Sequence, residues 1–279
     1  MRNILVTGCS SGIGYCVAKG LQANAYTVFA TARKPEDIQR LEAEGLRVIP
    51  LDLADPESVK DCANELMLRT NAELYAVFHN GAYGQAGALE DISRDVLEKQ
   101  FATNVFGWHQ LTNLLLPMMR KQGYGRIIYN SSLLGYVSLP FRGAYNASKH
   151  AIEGMADTLR LELRHSGIEV VLIEPGPITS RFRANALKSL QDHIDIENSV
   201  HRHKYQGAIR RLEKAGSVAP FTLPPEAVLD KVILALEKDK PKARYRVTFP
   251  SHLFAFFKRV LPTSGLDKVM VFVSRKENQ

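Results

Sequence analysis

Seven short runs of apolar and β-branched residues recur along the chain, at positions 4–7, 27–31, 47–51, 75–79, 126–130, 169–173 and, more weakly, 244–249. Helical patterns lie between them, among them 13–24, 56–69, 94–121 and 145–165. Strands joined through helices run parallel, and a parallel sheet is covered on both faces, so its strands read as near-continuous apolar runs. The chain therefore reads as α/β, a doubly wound parallel sheet of about seven strands with helices on both faces. No internal repeat or low-complexity linker divides its 279 residues, and such folds reach this length as one domain, so 1–279 is expected to be a single unit. Segment 179–224 is polar and charge-rich and ends at Pro224-Pro225, the makeup of a lid inserted before the next helix.

The first run leads into Thr7-Gly8-Cys9-Ser10-Ser11-Gly12-Ile13-Gly14, at the opening of a helix. Glycines there let the backbone turn tightly and approach a pyrophosphate, whose charge a helix N-terminus favours. The spacing Gly-x-x-x-Gly-x-Gly differs from the commoner Gly-x-Gly-x-x-Gly, and a glycine cluster also serves ordinary turns. Its place between a strand and a helix favours a Rossmann-type nucleotide site. The second run ends Ala30-Thr31-Ala32-Arg33-Lys34, without the acid that binds the ribose 2′-hydroxyl of NAD. Arg33 can instead pair with a 2′-phosphate, which points to NADP(H); the alternative is a solvated Arg-Lys pair at a strand end.

Tyr145 and Lys149 stand four residues apart, on one helix face. A phenol of pKa about 10 is a poor acid/base at neutral pH, and a nearby ammonium lowers that value. The same spacing recurs at Tyr15 and Lys19 in the first helix, where it reads as structural. Context separates the two copies. Ser131-Ser132 closes a central strand, Asn80-Gly81-Ala82 closes the fourth, and ligands of parallel sheets bind at such carboxyl edges. Asn104 lies inside a long helical pattern, where asparagine is a poor interior residue and needs a reason.

As a set, these motifs resemble the short-chain dehydrogenase/reductase family, from the glycine turn through Asn104, Ser132, Tyr145 and Lys149 to Pro175-Gly176-Pro177. The resemblance implies that Tyr145 is the proton donor/acceptor and that Ser132 hydrogen-bonds the substrate oxygen. It implies that Lys149 binds the nicotinamide ribose and depresses the Tyr145 pKa, with Asn104 supporting a water relay to Lys149. Gly8, Ser10, Ser11, Gly12, Ile13 and Gly14 would cradle the cofactor, with Arg33 at its 2′-phosphate. Asp52 and Leu53 would hold the adenine edge, and Asn80 and Gly81 the adenine ribose. Pro175, Gly176 and Ile178 would line the nicotinamide, and Ser180 stands where a Thr commonly contacts it. One departure is His79-Asn80-Gly81-Ala82, where the family usually has Asn-Asn-Ala-Gly; His79 itself reads as a structural histidine.

Within the family, the glycine turn, Ala30-Thr31-Ala32-Arg33 and Glu174-Pro175-Gly176-Pro177 look most like the retinol and 17β-hydroxysteroid dehydrogenase branch, and bacterial oxidoreductases of that type. The expected function is NADP(H)-dependent interconversion of a hydrophobic aldehyde or ketone and its alcohol. Leu133, Leu134, Tyr136, Leu139 and Phe141 give the surroundings of Ser132 a fitting apolar character, though they would also serve to pack under a lid. The rivals are a 3-oxoacyl-thioester reductase and a catalytically silent NADP(H)-binding sensor.

The formal charge of +7 sits in residues 238–279, which hold ten Lys/Arg against three Asp/Glu, leaving the rest neutral. No motif supports a nucleic-acid partner. The three cysteines form no disulfide or metal pattern, and His193, His201 and His203 are too irregular to argue a metal. No secretory leader opens the chain and no apolar run nears the ~20 residues that span a bilayer, so a cytoplasmic protein is expected. The basic, aromatic segment 250–279 leaves three readings open: a cover over the substrate pocket, a subunit contact in a homo-oligomer, or a weak membrane-surface contact.

Overall fold

Leu5, Val77, Ile127 and Leu172 occupy the middles of neighbouring strands and are almost completely shielded from water. They belong to the computed structural model of the chain, which describes residues 2–214, 216 and 219–277. Parts of the expected lid (Ala215, Ser217, Val218) and tail (Asn278, Gln279), with Met1, lie outside the described residues. The strands are β1 (Asn3–Val6), β2 (Thr27–Ala32), β3 (Arg47–Pro50), β4 (Ala76–His79), β5 (Gly125–Asn130), β6 (Ile168–Glu174) and β7 (Arg244–Arg246). They form one sheet in the order β3-β2-β1-β4-β5-β6-β7, and every pairing is parallel. Because the chain winds outward in both directions from the β1–β4 pair, a crevice opens at the carboxyl edge there.

Strand side chains alternate between two apolar cores. Leu5, Phe29, Val77, Ile127 and Leu172 face one side, under helices α3 (Pro56–Thr70), α5 (Gly107–Gln122) and α6 (Gly143–Glu162). Val6, Ala30, Phe78, Ile128 and Ile173 face the other, under α1 (Gly12–Ala23) and α9 (Glu226–Glu237). The remaining helices are α2 (Pro35–Ala43), α4 (Arg94–Phe101), α7 (Phe182–His193), α8 (Arg202–Glu213), α10 (Phe249–Val260) and α11 (Thr263–Glu277). No helix among the described residues is long and apolar enough to cross a membrane.

Two expected elements differ. The helix expected over 94–121 is interrupted by a π-turn, Ala102–Phe106, between α4 and α5. Its cause is tertiary: Asn104 turns its amide onto the Tyr83 backbone, and Gly107 packs where a Cβ would lie 2.0 Å from the Leu53 carbonyl oxygen. The strand expected over 244–249 covers only Arg244–Arg246. Thr248 instead starts α10, with Pro250 in its first turn, a position where proline's fixed φ and missing N–H suit a helix. Helices α10 and α11 then pack on the turn that follows β5, around Leu133, Leu134, Val137, Phe254, Leu266 and Met270.

Candidate active site

The glycine turn and the end of β4 are built against each other. A Cβ at Gly8 would fall 2.5 Å from the Gly81 Cα, and one at Gly14 would fall 2.2 Å from the Gly8 carbonyl oxygen. Gly8 also has φ +71°, a region that L side chains avoid. Thr7 Oγ1 accepts hydrogen bonds from Asn80 N (2.8 Å) and Gly81 N (2.9 Å). The close approach requires glycine at 8; at Gly81 a Cβ would meet the end of the Leu53 side chain at 2.8 Å and Gly8 N at 3.3 Å, so the exchanged order sets the smaller residue against the glycine turn. Ser11 starts α1 without a side-chain cap, and no acid stands in the first turn. The N–H groups there remain directed at the crevice, as an anion cradle requires. Ser180 closes its other side, with its Cβ 3.1 Å from the Cβ position of Gly12.

At the end of β2, Ala32 is buried while the Arg33 side chain is 65% exposed and lies 3.5 Å from Asp52 Oδ2. Asp52 Oδ1 accepts from Ala54 N, which fixes the turn after β3, and Leu53 beside it is buried against Gly81. Arg40, which sequence reasoning passed over, donates to the Ser10 carbonyl at 2.7 Å and pairs with Asp37 and Glu44. The second Tyr-x-x-x-Lys is tied to the same Glu44. Tyr15 donates to its carboxylate at 2.7 Å and Lys19 to its carbonyl at 3.0 Å.

The other copy lies at the carboxyl edge of β5. Ser132 stands beside the Tyr145 phenol and favours its ionised form, and Ser132 Oγ accepts from Leu134 N. Lys149 is buried and donates to the Asn130 carbonyl at 2.7 Å. From there a hydrogen-bonded path continues, Asn130 Nδ2 to Asn80 Oδ1 (2.8 Å) and Asn80 Nδ2 to the Thr7 carbonyl (3.1 Å). The lysine and the glycine turn are thereby joined. Pro175, at the end of β6, accepts from Leu133 N, Gly176 packs on Leu133, and Ile178 bridges to Leu223. Ser132, Tyr145 and Lys149 therefore converge, with the stretch from Pro175 to Ser180 alongside.

Asn104 is buried, with its side-chain amide bonded to the Tyr83 backbone and to Ser148 Oγ. One expected role needs correction. The Tyr145 phenol is not lowered: burial pushes it up to about 12, opposed by Ser132 and Arg142. Lys149 is itself pushed down to about 7 by burial, with Glu153 opposing. Desolvation is the largest influence on both groups, and spacing alone cannot reveal it.

Beyond Lys149 on α6 lies a network that the sequence did not announce. Arg244 reaches Glu153 (3.2 Å), Asp157 (2.7 Å) and Glu174 (3.0 Å), and Arg246 reaches Glu174 (3.1 Å). Burial raises Glu174 to about 7. Its signal was the unusual acid ending a buried strand. His79 lies inside the sheet, stacked on Tyr129 with 5.0 Å between centroids, and burial lowers it to about 3, so it is neutral. Above the site, Phe182 of α7 meets the Tyr145 ring edge-on, and the first residues after Ser132 are covered by α10 and α11.

The family model for short chain dehydrogenases matches residues 2–191. The chain is 44% identical over 269 residues to the uncharacterized oxidoreductase YbbO of Escherichia coli, covering 96% of this chain and 94% of that protein. It is 32% identical to the NADPH-dependent 3-dehydrocapnine reductase of Ornithobacterium rhinotracheale, covering 96% of each. Among solved structures, a short-chain dehydrogenase from Streptomyces avermitilis superposes with a TM-score of 0.73 at 26% identity, over 99% of this chain and 96% of that one. The chain belongs to the short-chain dehydrogenase family of oxidoreductases, which act on CH–OH groups with a nicotinamide cofactor.

Proposed function

We propose that the protein is an NADP(H)-dependent reductase of hydrophobic aldehydes and ketones, able to run in reverse as an alcohol dehydrogenase. The observation that carries this reading is the meeting of Ser132 and the Tyr145 phenol beneath an apolar cover, with buried Lys149 one helical turn away. The tight Gly8–Gly81 contact and the open first turn of α1 fit a dinucleotide pyrophosphate. NADPH, when bound there, would supply the hydride for the carbonyl carbon. Ser132 donates a hydrogen bond to the carbonyl oxygen and orients it, while Tyr145 passes its proton to that oxygen. Lys149 lends positive charge next to the phenolate that Tyr145 becomes, and so lowers the cost of the transfer.

Arg33 supports NADP(H) over NAD(H), because a fixed cation at the end of β2 suits a 2′-phosphate and no acid stands there to repel it. The similar reductase from Ornithobacterium is named for NADPH. Residues 179–224, through α7 and Phe182, act as the lid over Tyr145. Helices α10 and α11 complete the apolar wall, which favours the pocket-cover reading of the tail. A panel of aliphatic and aromatic aldehydes, cyclic ketones and a 3-oxoacyl thioester, assayed with NADPH and NADH, tests the proposal. Turnover of the thioester far above all simple carbonyls, or no turnover of any, overturns it.

A further inference from the structure

Lys149 has an unusual set of neighbours for a buried cation. Among the described residues no carboxylate forms an ion pair with its ammonium. Glu153, one helical turn further along α6, is drawn away by Arg244, and Glu174 beyond it is held by Arg244 and Arg246. From β5 comes only the Asn130 carbonyl, and from β4 the neutral His79 lies deeper in the sheet. From α5 comes Trp108, fully buried, whose ring centre lies 4.5 Å from Lys149 Nζ. The Tyr145 ring is the next aromatic face, at 5.6 Å. Trp108 is stacked in turn on Tyr129 and His79, so its plane cannot rotate away, and its indole N–H donates to the Gly81 carbonyl at 2.8 Å.

We propose that Trp108 is a positioning residue for the reaction: its indole face holds the Lys149 ammonium in place and its N–H ties that ammonium to the cofactor-side turn at Gly81. The inference rests on the assignment of Lys149 as the charge beside the Tyr145 phenolate. It also explains why a ring stands where a carboxylate would be the ordinary partner. An acid beside Lys149 would stabilise the cation but cancel its field, and Tyr145 would then gain little from it. The negative face of an indole attracts the cation through a quadrupole while adding no net charge. A cation held over tryptophan is therefore stabilised without a negative charge being added beside it.

The chain has a single tryptophan, so its emission reports on this position alone. In the intact protein the emission of Trp108 should change with pH in one step, at the midpoint of the descending limb of the pH–rate profile for carbonyl reduction. Lys149→Met should abolish that step, whereas Tyr145→Phe should keep it. Trp108→Leu should move the kinetic midpoint down by about one to one and a half pH units, and Trp108→Phe, which retains a weaker face, by less. An unchanged midpoint in Trp108→Leu overturns the proposal, as does an emission step that persists in Lys149→Met. Should Trp108→Leu fail to fold, as judged by circular dichroism, the Lys149→Met emission comparison decides. That comparison needs no turnover, so it stands even if every carbonyl offered proves a poor substrate.

Discussion

The rings of Phe182 and Tyr145 meet edge-on with 5.1 Å between their centroids, and Phe182 also fills the space in front of Gly84, where a Cβ would lie 2.5 Å from its Cζ. A carbonyl cannot reach the Tyr145 hydroxyl from that side until Phe182 moves. Phe182→Ala should therefore lower KM for bulky ketones several-fold while leaving small aldehydes less affected, and should shorten the lag before a slow-binding inhibitor takes hold. Steady-state kinetics on a size-graded series checks it; equal effects across the series would mean that Phe182 does not gate the site.

Tyr145→Phe removes the proton that reduction needs. It should cost ~10²–10⁴-fold in kcat and leave NADPH affinity nearly unchanged by isothermal titration. Tyr15→Phe loses only its bond to Glu44. That change should cost stability by about 0.5–1.5 kcal/mol and keep turnover. Comparable losses of turnover in the two variants would contradict the assignment.

Arg33 pairs with Asp52 at 3.5 Å on the protein surface, a contact weak enough to be exchanged for a phosphate. Charge-assisted bonds to that phosphate contribute ~1.5–3 kcal/mol, a preference of roughly 10- to 150-fold. Arg33→Ala should raise KM for NADPH by about that factor and leave KM for NADH almost alone. An equal rise for both cofactors would refute the phosphate reading of this arginine.

His79 binds its proton only near pH 3 in the folded protein, against an ordinary value of 6.5. Between those values the unfolded chain carries a proton that the native state does not. Stability is thus lost as pH falls from 6.5 towards 3, by an amount on the order of a few kcal/mol. His79→Phe keeps the stack on Tyr129 but not the titration. Its melting temperature should be lower at pH 8, where the Thr112 hydrogen bond is missed, yet should fall less steeply towards pH 4. Parallel melting curves for the two proteins over that range would show that His79 is not the acid-sensitive group.

What was legible in the chain is what short-range chemistry writes into it. Strand runs, the Gly8–Gly14 turn and the Tyr145–Lys149 spacing are local: the runs pair into the sheet, the turn follows β1, and the tyrosine and lysine share α6 beside the end of β5. Long-range contacts were hidden. Nothing near Lys149 in sequence announces Trp108, forty-one positions earlier, or shows that Phe182 would lie on Tyr145. The π-turn at Asn104 was unreadable because its cause lies in the Tyr83 backbone and the Leu53 carbonyl, both from other segments. The Tyr145 pKa was misjudged for the same reason, since proximity to an ammonium is visible in a heptad of sequence and the depth of burial is not.

The wall over Leu133 and Leu134 comes from helices α10 and α11, which follow α6 and the last strand, β7, in the chain. Chains fold as they emerge, N-terminal portions first. The Gly8–Gly14 turn and the end of β4 are therefore made before the elements that wall the turn after β5. On the proposed function, the side of the substrate pocket over Leu133 and Leu134 is the last part of it to take shape.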